Sequence, residues 1–85
     1  MRRGRLDIIN AILEIVSKND SKGTKKTDIY RKGNLSTSQG NKYLSFLERV
    51  NLLNIENHDG SVRYKASENG IKFLKGYKEL NDLAS

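Results

Sequence analysis

The sequence predicts a mainly α-helical fold with a small β hairpin, an α+β arrangement around one core. Two observations predict the helices: apolar residues recur at helical spacing in several segments, and a helix-capping pattern precedes one of them. A third predicts the hairpin, because alternating apolar and polar segments flank Asp59-Gly60, a dipeptide typical of tight hairpin turns. The 85 residues fit one domain with a single core.

The first helix is predicted over residues 5–18 and has a wide apolar face. Its two apolar stripes are Leu6, Ile9, Leu13, Val16 and Ile8, Ile12, Ile15. This face is wider than one packing contact requires. The helix is therefore either central to the domain or partly in contact with a partner subunit.

A short second helix is predicted over residues 28–32. Thr27 is its expected N-cap, since a hydroxyl there accepts a hydrogen bond from the first turn. Gly33-Asn34 ends the helix, because both residues tolerate a left-handed conformation.

The third helix has the clearest start in the chain. Ser36 and Gln39 match the capping box, and Leu35 stands where a hydrophobic staple residue would. Asn51 occupies the C-terminal position that favours glycine or asparagine. The residues predicted to share its apolar face are Gly40, Leu44 and Leu47.

The hairpin and a last helix complete the chain. Residues 53–57 and 62–66 alternate as strands do, and residues 24–26 are a candidate third short strand beside them. Ser67 is the expected cap of a helix over residues 68–83. The order helix, helix, helix, hairpin, helix predicts a winged helix-turn-helix with an additional C-terminal helix. We assign residues 1–66 to the winged helix-turn-helix and residues 67–85 to a dimerisation helix.

The chain also resembles a known family in the order and spacing of its residues. The residues that carry the resemblance are Thr27, Leu35-Ser36, Lys42-Tyr43-Leu44, Leu47, Leu52-Leu53, Tyr64, Asn69-Gly70, Phe73-Leu74 and Tyr77. In these it resembles the archaeal winged-helix DNA-binding proteins whose C-terminal helix forms an antiparallel coiled-coil dimer. The resemblance implies an intracellular homodimer that binds DNA as a transcriptional regulator or a chromatin-type protein, with residues 37–50 as its recognition helix. Gly40 departs from the family pattern, in which a larger apolar residue is usual, and allows a neighbouring backbone to approach.

Positive charge is concentrated in the first part of the chain. The net charge is +6, and residues 1–49 hold 11 Lys and Arg against 5 Asp and Glu, whereas residues 50–85 hold 5 of each. Either this excess serves solubility, or it marks a polyanion-binding surface, because Lys and Arg that neutralise phosphates release counterions.

The outward face of the third helix predicts contacts with double-stranded DNA. A helix fits the major groove, and residues near its N-terminus reach the base edges. The candidates on this face are Thr37, Ser38, Asn41, Lys42, Ser45 and Arg49. Candidates for phosphate contacts around the turn are Lys25, Lys26, Arg31 and Lys32.

The hairpin and the N-terminus supply further candidates. As a wing, the hairpin could place Arg63 and Lys65 on the adjacent backbone, and a phosphate or sugar contact by Arg63 is favoured over base readout. Arg2, Arg3 and Arg5 either lie on DNA as a basic arm or fray into solvent.

Composition argues against the other classes of function. The chain has no cysteine, and its one histidine, His58, has no metal-binding neighbour in the sequence, so we expect no metal and no cofactor. One histidine in the wing cannot build a catalytic triad, and no phosphate-binding glycine loop is present. We therefore expect no enzymatic activity and no small-molecule substrate. The apolar stretches are far shorter than the ~18 residues of a membrane span, and the basic N-terminus lacks the features of a secretory signal, so we expect a cytoplasmic, nucleoid-associated protein.

A homodimer is predicted through the last helix. Its apolar residues at heptad spacing are Phe73, Tyr77, Leu80 and Ala84, and the first helix is expected to contribute Ile8 or Ile12. The alternative is that this seam packs on the chain's own core. The rival function from another class is a winged-helix module that binds protein and not DNA.

Overall fold

The computed structural model describes residues 4–18 and 22–84. Its elements in chain order are α1 (Arg5–Lys18), α2 (Lys26–Lys32), α3 (Thr37–Arg49), β1 (Leu53–His58), β2 (Ser61–Ala66) and α4 (Glu68–Ala84). Four helices and a two-stranded antiparallel hairpin confirm the predicted fold, a winged helix-turn-helix with a C-terminal helix.

Helix α1 is the centre of the core. It contacts α2, β2 and α4. The buried residues it contributes are Ile8, Ile9, Ile12, Leu13 and Val16, and they pack with Ile29, Leu35, Leu44, Leu47, Leu53 and Tyr64. The wide apolar face is thus used within the chain, as expected of a central helix.

The expected contribution of Ile8 or Ile12 to a dimer surface was wrong. Ile12 is 0% exposed and Ile8 is 8% exposed in a single chain. Both side chains belong to the chain's own core, so neither has area left for a partner subunit.

Helix α2 begins earlier than predicted. Its N-cap is Lys25, which makes no side-chain capping bond, so the expected Thr27 cap was wrong. The cause lies in a distant contact: Thr24 pairs with Tyr64, with N to O distances of 2.9 and 2.8 Å. This bridge holds the chain extended up to Lys25, and the helix starts directly after it. The candidate third strand over residues 24–26 is thus a single bridge at Thr24, since Lys26 already belongs to α2.

The turn between α2 and α3 and the cap of α3 follow the prediction. Asn34 is left-handed, with φ 55°, and the amide of Leu35 donates to the Tyr30 carbonyl at 2.8 Å. The Ser36 hydroxyl accepts from the Gln39 amide at 3.1 Å, and the Gln39 side chain accepts from the Ser36 amide at 3.4 Å. The capping box is therefore complete.

The hairpin closes with the predicted two-residue turn. His58 pairs with Ser61, and the two residues between them, Asp59 and Gly60, have φ of 52° and 82°. Two consecutive positive φ angles fit a turn of the I′ kind, whose twist matches that of the strands.

Helix α4 is anchored at its N-terminus and packs on α1. The Ser67 hydroxyl accepts from the Gly70 amide at 3.0 Å and donates to the Asn51 carbonyl at 2.7 Å, which ties α4 to the end of α3. A Leu13 methyl group lies near Gly70, and the Tyr77 hydroxyl donates to Asp7. The two helices are therefore antiparallel.

Only part of the predicted seam on α4 is uncovered. Phe73 and Tyr77 are half-buried and stack on each other, and Phe73 packs against the core. Leu80 and Ala84 are exposed. The first half of the seam thus follows the alternative, packing on the chain's own core, because it runs alongside α1.

Candidate nucleic-acid interface

The predicted recognition residues lie together on one face of α3. All six are exposed, namely Thr37, Ser38, Asn41, Lys42, Ser45 and Arg49. The opposite face holds the buried Gly40, Leu44 and Leu47 against the core. The amphipathic spacing of the helix thus fixes which residues face outward.

The C-terminal part of this face meets the start of α1. Lys42, Ser45 and Arg49 line an open cavity of about 510 Å³ together with Arg5, Tyr43 and Phe46. The Arg49 guanidinium lies 5.7 Å from the centre of the Phe46 ring, within cation–π range. The structure therefore adds Arg5 to the basic face, whereas Arg2 and Arg3 lie outside the described residues.

The basic residues of α2 surround the turn. Lys25, Lys26, Arg31 and Lys32 are all exposed. Arg31 pairs with Asp28 at 2.8 Å, but its side chain remains 75% exposed. An exposed pair of this kind contributes little to stability, so Arg31 can exchange its partner for a phosphate at small cost.

The wing approaches the start of α2 through a second basic cluster. Arg63 and Lys25 line an open cavity of about 430 Å³ together with Lys22, His58, Asp59 and Ser61. Arg63 is half-buried, and its buried Nε has no hydrogen-bond partner among the residues described. Lys22 had not been predicted as a site residue, because only the return of the hairpin toward the 22–25 segment brings it there.

The other predicted wing residue, Lys65, is already engaged. Its Nζ lies 3.3 Å from the Glu56 carboxylate, which also contacts His58 Nε2 at 2.8 Å. The hydrogen bond from His58 is the main reason that the pKa of Glu56 is lowered, with Lys65 contributing further. Glu56 therefore stays charged at pH values below the usual pKa of a glutamate. Its attraction for His58 and Lys65 is lost only as the pH falls through the lowered pKa.

A tyrosine on α2 contacts one of the predicted recognition residues of α3. The Tyr30 hydroxyl donates to Asn41 Oδ1 at 2.5 Å. The Tyr30 ring lies over Gly40, where any Cβ would overlap it. Because position 40 has no side chain, the Tyr30 ring of α2 can pack against α3 there. The sequence had predicted the approach of a neighbouring backbone instead.

The one acidic residue of α3, Glu48, is exposed near the C-terminal end of the helix. Because it follows Ser45 at i+3, it lies on the same side of the helix as that residue. Its charge also contributes, after burial, to a raised pKa of Tyr64 in the hairpin.

Two further properties concern the described part of the chain. None of its helices combines the length and the apolar character needed to cross a membrane. Residues 4–18 and 22–84 contain no group of three or more His, Asp or Glu side chains placed to hold a metal ion.

These features define a class of protein, the winged helix-turn-helix proteins, and sequence comparison agrees. A family model described as "Winged helix-turn-helix" matches residues 2–85. The chain therefore belongs to this family. No curated protein sequence matches it.

Solved structures with the same fold come from several sources. Sso10a-2, a DNA-binding protein from Sulfolobus solfataricus, superposes with a TM-score of 0.78 at 23% identity, over 96% of this chain and 82% of that one. MepR, a transcription regulator of the Staphylococcus aureus multidrug efflux pump MepA, gives a TM-score of 0.82 at 16% identity, over 92% of this chain and 58% of its own. SSV1 F-93 superposes with a TM-score of 0.66 at 19% identity, over 91% of this chain and 88% of that one. At these identities the likeness concerns the fold.

Proposed function

We propose that this protein binds double-stranded DNA as a homodimer and acts, without catalysis, as a regulator of transcription. An architectural role in packaging DNA is the second form of the same activity. The observation that carries the proposal is the exposed face of α3, on which six polar or basic side chains lie together and Glu48 is the one acidic residue of the helix. The DNA-binding description of Sso10a-2 and the determination of MepR as a complex with DNA support it by analogy of fold.

In the proposed complex, α3 lies in the major groove. The residues of its first turns, Thr37, Ser38 and Asn41, face the base edges, and Lys42 and Arg49 reach a guanine or a phosphate. Lys25 and the other basic residues around the turn hold the flanking backbone. Arg63, which lines the second basic cluster with Lys25, holds the backbone next to the wing. This activity would place the protein on the nucleoid.

The proposal is tested by titrating a fluorescent duplex at several salt concentrations. Because each neutralised phosphate releases counterions, log affinity should fall linearly with log salt, by ~0.9 for each of them. Replacing Lys42 and Arg49 with alanine should weaken binding at least ~10-fold. It should also reduce the salt slope by about one for each phosphate that the variant no longer neutralises.

The matched control removes two positive charges elsewhere. Lys75 and Lys78 lie beside α1 on the last helix, and they line a cavity that includes no residue of α3. Alanine at both positions should leave affinity within about twofold, since phosphates are bound where the charges meet them. A flat salt response, or equal decreases in affinity for the two double variants, would contradict the proposed surface and favour the protein-binding alternative.

A further inference from the structure

We propose that Tyr30 is a positioning residue that fixes the orientation of the Asn41 amide toward DNA. The orientation of this amide in turn determines base specificity. The inference deepens the proposed function and rests on it. It concerns one contact between the two helices of the helix-turn-helix, in which a side chain outside the recognition helix holds a side chain within it.

The contact is built from three residues. Tyr30 belongs to α2, and its ring is half-buried against the core. Gly40 is buried in α3 and leaves the space that the ring occupies, since a Cβ there would overlap ring atoms Cδ1, Cε1 and Cζ. The ring therefore lies across the start of α3, and its hydroxyl reaches Asn41 Oδ1 at 2.5 Å.

The hydroxyl is a dependable donor. Burial is the main reason that the pKa of Tyr30 is raised above its ordinary value, and the neighbouring Tyr64 adds to it. Tyr30 thus keeps its proton throughout the neutral range. The 2.5 Å separation suits an O–H···O bond to Oδ1, whereas an N–H···O bond from Nδ2 to the same hydroxyl would be longer. Asn41 is exposed apart from this contact, so its orientation depends on the hydroxyl more than on packing.

A fixed amide reads bases differently from a free one. With Oδ1 held by Tyr30, the Nδ2 group faces outward as a donor. In the major groove it can donate to N7 of a purine or to the carbonyl oxygen of guanine or thymine, whereas the amino group of cytosine is itself a donor. A free amide could rotate by half a turn and accept from cytosine. Tyr30 should therefore exclude cytosine at the base that Asn41 faces.

The test is the variant Tyr30→Phe, which keeps the ring and removes only the hydroxyl. Wild type and variant are titrated against duplexes in which each base pair of a selected binding site is changed in turn. We expect wild type to discriminate against cytosine at one position by about 10-fold, within the range for one base contact. Tyr30→Phe should reduce this preference to less than about threefold while leaving affinity for random duplex within about twofold.

Three variants separate positioning from a structural role. Asn41→Ala should lose the same preference, and adding Tyr30→Phe to it should change nothing further. Gly40→Ala displaces the ring and should relax the same position. Tyr77→Phe removes a tyrosine hydroxyl from α4, where it contacts Asp7 and not α3, and should leave specificity unchanged.

The possible failures are distinct. Absence of duplex binding by wild type overturns both the proposed function and this inference. Duplex binding without preference at any position, or a preference that survives Tyr30→Phe or Asn41→Ala, overturns the inference and leaves DNA binding standing. A loss of preference that Tyr77→Phe matches would show that the hydroxyl of Tyr30 has no special part.

Discussion

The effect of a single residue on this fold depends mainly on the atoms that are in direct contact with it. Gly40 and Gly70 are both buried glycines on helices, yet they admit different neighbours. At Gly40 the space holds a tyrosine ring, whereas at Gly70 it holds the carbonyl oxygen of Leu52 from the segment before the wing. The amide of Ser67 donates to the same oxygen at 3.0 Å. Gly70 therefore lets the start of α4 lie directly against the end of the helix-turn-helix.

We predict that Gly70→Ala destabilises the fold, although alanine favours helices. The new Cβ would overlap a backbone oxygen, which cannot rotate away as a side chain can, so we expect a loss of about 1–3 kcal/mol, typical of overpacking. Gly76→Ala on the same helix is the control. A Cβ at position 76 meets nothing within 4 Å, so it should stabilise the protein by about 0.5–1 kcal/mol.

Urea denaturation of the two glycine variants measures both changes. Opposite signs are the expected result. If Gly70→Ala stabilises the protein as much as Gly76→Ala does, the close approach of α4 to Leu52 is wrong.

Local signals explain which residues the sequence could assign. The cap of α3 depends on two residues three positions apart, Ser36 and Gln39, and the structure forms both of their bonds. Ser67 caps α4 in the same local way. Thr27 also matched a local cap preference, but a bridge between Thr24 and Tyr64, far apart along the chain, moved the helix start. A contact between residues so far apart along the chain cannot be recognised in a short stretch of sequence.

The hairpin is buried at its base and exposed toward its tip. Its base is buried through Leu53 and Tyr64, whereas Ile55 and Val62 further along are exposed, so the wing projects beyond the core. On the projecting part, Glu56 holds His58 and Lys65. Lys65, which was predicted to bind phosphate, is thus partly neutralised by a carboxylate on the neighbouring strand.

We predict that Glu56→Gln strengthens DNA binding. The substitution releases Lys65 toward phosphate and removes a negative charge that repels DNA, so affinity should rise a few fold and the salt slope should increase by about one. The comparison is Asp59→Asn at the wing tip, which removes an equal charge. Asparagine tolerates the left-handed conformation at position 59, where φ is 52°, so the turn should be kept.

Titrations of both wing variants across salt distinguish the two contributions. Glu56→Gln should gain more than Asp59→Asn, because only the first releases a lysine. Equal gains would mean that Lys65 makes no phosphate contact.

The helix-turn-helix was predictable as an element because its apolar spacing and its turn residues agree. The surface around the helix-turn-helix was less predictable from the sequence. Arg5 and Lys22 come close to the predicted residues only through the packing of α1 on α3 and of the hairpin on the 22–25 segment. Tyr30 was not among the predicted site residues, since nothing in its position along the sequence signals the contact with Asn41. The only hint is Gly40, where a larger apolar residue is usual in the family that the chain resembles.

At the scale of the whole molecule, the free end of α4 is the main unexplained surface. Tyr77 meets Asp7 in the first turn of α1, so the residues after Tyr77 run beyond the start of that helix. Leu80 and Leu83 on this end are 68% and 84% exposed, although each would contribute about 1.5–3 kcal/mol if fully buried. Their exposure supports the proposed homodimer, with the seam moved toward the C-terminal half of α4.

Our last prediction tests this dimer with uncharged substitutions. Leu80→Ser together with Leu83→Ser should give monomers in sedimentation experiments at tens of micromolar protein, whereas the unmodified chain should be dimeric. Val62→Ser together with Ile71→Ser removes two exposed apolar side chains from the wing and the start of α4. This control should stay dimeric, because those residues lie away from the free end of the helix.

The same variants connect assembly to function. A two-fold dimer presents two copies of α3 to successive turns of one DNA face, ~34 Å apart or a multiple of that distance. Loss of the dimer removes the second half-site, so the Leu80 and Leu83 variant should bind a two-site duplex at least ~10-fold more weakly while binding a single half-site as the unmodified chain does. Net charge is the same in all of these proteins, so a change in electrostatic attraction cannot account for the difference. A monomeric unmodified chain, or a double variant that binds the two-site duplex unchanged, would mean that each domain binds DNA alone and that the exposed leucines serve another contact.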